Sequence, residues 1–168
     1  MCDEYSLPRR YLNCEVDWDD DKFLPEGASK NYRAIFQTIY AKYFTQILES
    51  EGFDISIYPG PAEAAVCIPY LDFEKELDLL RVLAEHAIQE YNLKEENVYK
   101  YKFMFIETVN FIVAGHREFF MNVRVNNLTL RTPVEMFRIR AYRGIDGKNV
   151  VVLCQRKMFP PELAYQQR

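Results

Sequence analysis

Glycine is scarce, with six in 168 residues, so each one is expected to mark a backbone conformation that other residues resist. Histidine is rarer still, with two, too few and too poorly paired to give a zinc site a sequence basis. The phosphate-cradling patterns GxGxxG and GxxxxGK[ST] are missing, which leaves no case for a nucleotide site. No CxxC pair occurs: Cys2, Cys14, Cys67 and Cys154 stand alone in dissimilar contexts and read as free thiols of a reducing compartment. No apolar run approaches the length that spans a bilayer. The opening "MCDEYSLPRRYLNCEV" lacks the basic start and apolar stretch of a secretory signal. A net charge of −4 gives no electrostatic reason to expect nucleic acid. Together these absences predict a soluble protein, cytoplasmic or nucleocytoplasmic, with no cofactor, no metal, no membrane, no nucleic acid and no small-molecule substrate.

What the chain has in quantity is aromatic side chains, 15% of the total with 12 Tyr and 12 Phe, which suits a sheet-rich core. Hydrophobic residues make up 49% and charged residues 27%, the balance of a globular domain rather than a disordered one. Charge is uneven. Residues 1–30 carry eight acids and four bases, so this stretch holds the whole deficit of −4. It contains "DWDDD" and "PEGAS" without periodicity, and residues 1–29 read as an acidic surface arm.

A helix is expected from Ser29 to Glu51, within a helical segment 30–52. Phe36, Tyr40, Tyr43 and Ile47 make its apolar stripe, Ser29 is a candidate cap, and Gly52 a left-handed stop. Two short extended candidates follow, "FDISIY" and "AAVCIPY". A second helix is expected from Asp72 to Tyr91, capped by Asp72 and burying Leu80, Ala84, Ala87 and Tyr91. Beyond Asn92 the period becomes two. Tyr99, Tyr101, Phe103 and Phe105 alternate with Lys100 and Lys102. Phe119, Met121, Val123 and Val125 oppose Asn122 and Arg124. Phe137, Ile139 and Ala141 oppose Arg138, Arg140 and Tyr142. "KNVVVLCQRK" completes four strands on short connections, an antiparallel meander with one apolar face for a helix to cover. The result is an α+β architecture, with residues 158–168 as a tail.

One hairpin tip is unusual. "VNFIVAGHREFF" joins two hydrophobic runs through Ala114-Gly115, where hairpins ordinarily place Asn, Asp or Ser. An apolar bend of this kind is expected to be covered by something.

The helix segment "LAEHAIQEYN", Leu83 to Asn92, resembles the plant cystatin signature LARFAVxEHN. Leu83, Ala84, Ala87, Glu90 and Asn92 match, and the order from this helix to "FIVAG" agrees with the family. The resemblance covers Gly52 to Lys157 and implies a cystatin-like roll over 53–157, one long helix packed across a four- to five-stranded antiparallel sheet, with an extra N-terminal helix. It also implies a function without chemistry: inhibition of papain-like cysteine proteases by a wedge of three parts. The implied protease-binding residues are Phe111, Ile112, Val113, Ala114 and Gly115 in the first hairpin loop. Gly144, Ile145, Asp146 and Gly147 form the second loop, and Gly60 represents the N-terminal segment. Three features depart from the family pattern: Phe111 stands where QxVxG has glutamine, the second loop has no Pro-Trp, and Gly60 is flanked by Pro59 and Pro61 and lies farther from the helix than in the family. The alternative implied by those departures is a relative that keeps the scaffold as an interaction or structural module.

Other readings compete with the wedge. The tip could tuck against the arm or the first helix. A Cys/His nucleophile would need Cys67 or Cys154 beside His86 or His116, yet both thiols lie in apolar runs where sulfur is inert packing. Arg124, Arg138, Arg140, Lys100 and Lys102, interleaved with Tyr142, could imitate a single-strand nucleic-acid platform. A solvated face balanced by Glu107, Glu118 and Glu135 is the simpler account.

Overall fold

The computed structural model describes residues 33–59, 67–113, 115–130 and 134–158; for 33–37 and for Val113 only the backbone is described. The elements run α1 (Arg33–Ser50), β1 (Ile68–Pro69), a 3-10 turn (Phe73–Glu76), α2 (Leu77–Leu93), β2 (Tyr101–Val113), β3 (Arg117–Asn127), β4 (Glu135–Arg143) and β5 (Asn149–Arg156). The five strands form one antiparallel sheet in chain order, β1-β2-β3-β4-β5, with α2 packed on it. The class is α+β, as the patterning predicts. The arm at 1–29, the start of the first helix with Ser29, and the tail from 159 onward lie outside the described residues.

Helix α2 buries Leu80, Leu83, Ala84, Ala87 and Ile88. Its small alanines let Met121, Val123, Phe137, Ile139 and Ala141 of the sheet approach closely, and together they make the main core. Asp72 does not cap this helix. Its side chain makes no capping bond and pairs with Lys75 at 2.8 Å instead, while the intervening 3-10 turn moves the α-helical start to Leu77.

The alternation in β3 holds without a break: Phe119, Met121, Val123 and Val125 all join the core. In β2 it fails. The register slips between Phe103 and Phe105 and again between Ile106 and Thr108. Each β-bulge inserts one extra residue, Met104 and then Glu107, and turns the following side chains over. The core positions therefore become Tyr101, Ile106 and Val109, with Phe103 and Phe111 packed against them, and Phe105 is turned out half-exposed. The expectation that Phe105 shares the apolar face is corrected by these bulges.

A second correction concerns the opposite face, which is not simply solvated. Tyr40, Tyr43, Phe44 and Ile47 of α1 gather with Phe53, Cys67 and Phe120, flanked by Ile112 and Leu153, into a second core. Helix α1 ends in a Schellman-type stop. Gly52 N donates to Ile47 O at 3.1 Å, with Glu51 (φ 56) and Gly52 (φ 86) both left-handed. A Cβ on Gly52 would press on the Phe120 ring at 3.3 Å, so the stop also needs glycine for space.

"FDISIY", one of the two extended candidates, joins no strand pairing among the described residues and is a strap fastened by side chains. Asn110 Nδ2 donates to Gly52 O and Phe53 O, and Asn122 Nδ2 donates to Phe53 O. Gln46 Oε1 accepts from Ser56 N at 2.7 Å and Ile57 N at 3.0 Å. Buried asparagines on a sheet face thus hold backbone groups that would otherwise lack partners.

Candidate functional site

In an antiparallel meander, alternate hairpin tips share one end of the sheet. Val113 pairs with Arg117 and Arg143 pairs with Asn149, so the β2–β3 and β4–β5 loops project from the same end. Strand β1 enters the sheet from that end too, since Ile68 lies opposite Phe111 and Pro69 opposite Asn110. Two of the three segments singled out in the sequence are therefore neighbours. Gly60 and Ala114 lie outside the described residues.

In the first loop, Phe111 is half-buried on the α2 side, edge-on to Tyr70 with centroids 5.5 Å apart. The Arg117 guanidinium sits 5.4 Å from its ring, and Arg117 also reaches Glu76 at 2.7 Å. Ile112 points the other way and packs against the second core. Val113 ends the strand. Gly115 is exposed and left-handed at φ 76, and a Cβ placed on it would meet nothing within 4 Å among the described residues. The bend is open at this residue.

The second loop is a tight turn. Gly144 N donates to Lys148 O at 2.8 Å and Gly147 N to Gly144 O at 2.9 Å. Asp146 Oδ1 accepts from Lys148 N at 3.1 Å, and Oδ2 lies 3.0 Å from Lys148 Nζ. The backbone amide and then the ammonium of Lys148 hold the Asp146 carboxyl below its ordinary range. A Cβ on Gly144 would collide with Asp146 Oδ1 at 2.8 Å, and Gly147 is left-handed at φ 77. Ile145 is left fully exposed at the apex.

Two residues that the wedge reading did not include join the loops. The His116 ring lies on the Tyr142 ring with centroids 4.0 Å apart and planes 32° apart. Their sequence positions carry one available signal: His116 directly follows Gly115, and Tyr142 is the outward residue beside Arg143. Recognising the contact needs the β3–β4 register, which sets Tyr142 opposite Glu118.

The other candidates are dispersed. Burial pushes the Cys67 and Cys154 thiols up to about 12. Cys67 Sγ is directed at Gly52 O, 3.7 Å away, His86 pairs with Glu90 at 3.2 Å, and His116 is taken by Tyr142. The arginines of the second face have acidic partners: Arg124 with Glu107 at 3.0 Å, Arg140 with Glu118 at 2.7 Å and Arg138 with Asp54 at 2.7 Å. Lys100 leaves that set and donates to Asn92 O at the end of α2. A cleft of about 640 Å³ lies under the strap, but its charges answer one another, Asp54 taking both Arg138 and Lys157 at 2.7 Å. Among the described residues, no group of three or more His, Cys, Asp or Glu is placed to hold a metal ion, and no helix is long and apolar enough to cross a membrane.

Comparison with known protein families, with curated proteins and with solved structures finds no match to the chain.

Proposed function

We propose that residues 53–157 form a cystatin-like roll and that the loop end of the sheet occludes the cleft of a papain-like cysteine protease without chemistry. The observation that carries this reading is the convergence of the β2–β3 and β4–β5 loops on one end of the sheet, with Gly115 open at the tip. The β4–β5 turn, closed by backbone hydrogen bonds from Gly144 N to Lys148 O and from Gly147 N to Gly144 O, loses little conformational entropy on docking. The helix signature from Leu83 to Asn92 and the chain-order sheet support it further.

The second reading, a scaffold that binds a partner other than a protease, is favoured by one specific feature. Phe111, at the position of the family glutamine, is engaged by Tyr70 and Arg117 inside the molecule. Titration of a papain-like protease with the purified protein separates the two. Inhibition that is tight and stoichiometric, and lost in Gly115→Glu while the fold melts cooperatively, supports the wedge. Absence of inhibition at about 50 µM, an affinity weaker than roughly −6 kcal/mol, leaves the scaffold reading.

A further inference from the structure

The cleft under the strap is lined by two residues that each carry an unmet polar atom. Among the described residues, Asn122 Oδ1 and Arg138 Nε are buried without a hydrogen-bond partner, although nearly all buried polar groups in folded proteins find one. Both residues line the cleft, and they sit directly opposite each other on β3 and β4. Asn122 is only 3% exposed. Its orientation is forced. Nδ2 donates to Phe53 O, Asp54 Oδ1 and Thr108 Oγ1, and a flipped amide would set its oxygen against that carbonyl and that carboxylate. Arg138 commits its Nη2 to Asp54 Oδ2 at 2.7 Å, and its Cζ lies 5.4 Å from the centre of the Phe53 ring. One acceptor and one donor are left on neighbouring side chains.

We propose that this cleft is a binding site for a small neutral molecule carrying a primary carboxamide. The N–H of such a group donates to Asn122 Oδ1 while its carbonyl accepts from Arg138 Nε, both from one planar edge. The charges around the cleft favour a neutral guest. Asp54 pairs with Arg138 and Lys157, and Glu107 with Arg124, so a charged guest would have to break a pair to enter. Phe53, Ile55 and Met136 supply apolar wall for the rest of the molecule, and about 640 Å³ is the size of a small-ligand site. Neither unmet atom reaches solvent. The guest therefore gains access by displacing the strap, which is held by side chains rather than by a strand ladder. Asn122 and Arg138 stand mid-strand, away from the loop end, so the site does not rest on the protease reading.

Benzamide is the probe, titrated into the full chain while nuclear magnetic resonance follows the Arg138 Nε–H and the Asn122 side-chain amide. Both signals are expected to move saturably. Benzoate lacks the donor and benzylamine lacks the acceptor, so each is expected to bind about tenfold more weakly or worse, the factor one charge-assisted hydrogen bond carries. Arg138→Lys keeps a cation for Asp54 but removes the Nε–H, and is expected to weaken benzamide by a similar factor. Ile55→Trp alters neither unmet atom and fills the cleft, and is expected to abolish binding. Melting curves show that each variant is folded; should Arg138→Lys fail to fold, Ile55→Trp carries the test. No saturable movement up to about 10 mM benzamide, an affinity weaker than millimolar, overturns the site, as do equal responses to the three probes. A cross-peak between the Arg138 Nε–H and water that benzamide leaves unchanged means an ordered water only, and overturns it too. None of these outcomes bears on the protease titration, so the two readings fail separately.

Discussion

The Tyr43 hydroxyl closes a two-way hydrogen bond on Cys67, donating to its carbonyl at 2.6 Å and accepting from its amide at 3.0 Å. The residues are 24 positions apart, and the bond ties α1 to the entry of β1. Cys67 is buried, so its backbone groups depend on this phenol. Tyr43→Phe is expected to destabilise by about 2–4 kcal/mol, the cost of leaving two buried polar groups unmet. That corresponds to a fall in Tm of roughly 5–15 °C for a chain of this size. An unchanged melting temperature would show that the second core does not rely on the bond.

The bulges in β2 make opposite predictions for adjacent residues. Phe105→Ser is expected to change stability by no more than about 0.5 kcal/mol, as at an ordinary surface site. Ile106→Ala, inside the main core, is expected to cost about 2–4 kcal/mol. Urea denaturation of both variants checks the register, and a large loss at Phe105 with a small one at Ile106 would reverse it.

Asp54 sets an acid limit. Burial by itself raises its carboxyl pKa, but hydrogen bonds and charge from Lys157 and Arg138 outweigh that and hold it below the ordinary value of 3.8. A lowered folded pKa contributes stability that is present above the unfolded pKa and is lost as pH falls through the folded one. Melting temperatures between pH 6 and 2 should therefore fall less steeply below about pH 4 in Asp54→Asn than in the unaltered chain. Asp54 is partly exposed, at 42% of its side chain, so solvent screening keeps the difference modest. Parallel curves would mean that the clasp contributes nothing to folding.

Thiols with pKa values near 12 are almost wholly protonated at neutral pH and therefore poor nucleophiles. In a Cys2→Ser/Cys14→Ser background, a thiol-specific chromogenic reagent at neutral pH should label neither Cys67 nor Cys154 in the native protein and both in denaturant. Rapid native labelling of either would return the nucleophile reading to consideration.

What is legible in the sequence follows from how local its cause is. In β3 nothing interrupts the ladder, so period two alone locates Phe119 through Val125. In β2 the same rule misplaces Phe105, because a bulge arises from pairing with a neighbouring strand and leaves no mark on composition. The stripe of α1 is visible in Tyr40, Tyr43 and Ile47, but its seat on the second face is not. That seat depends on Asn110 and Asn122, which read as ordinary outward polar residues until the strap's carbonyls are brought to them. The loop glycines are legible as turn formers. The His116–Tyr142 stack is not, since it joins residues far apart in the chain through a register that only the assembled sheet defines.

Strand β1 is two residues long, so below the Tyr70 N bond to Val109 O the outer rim of β2 faces no described strand from Tyr101 to Thr108. A straight, greasy rim of that length would template the stacking of one molecule on the next. The irregularities at Met104 and Glu107, with Lys102 and Glu107 turned to water, spoil that template. The same two insertions that reshuffle the interior thus also break the regularity that strand-to-strand stacking needs along this rim.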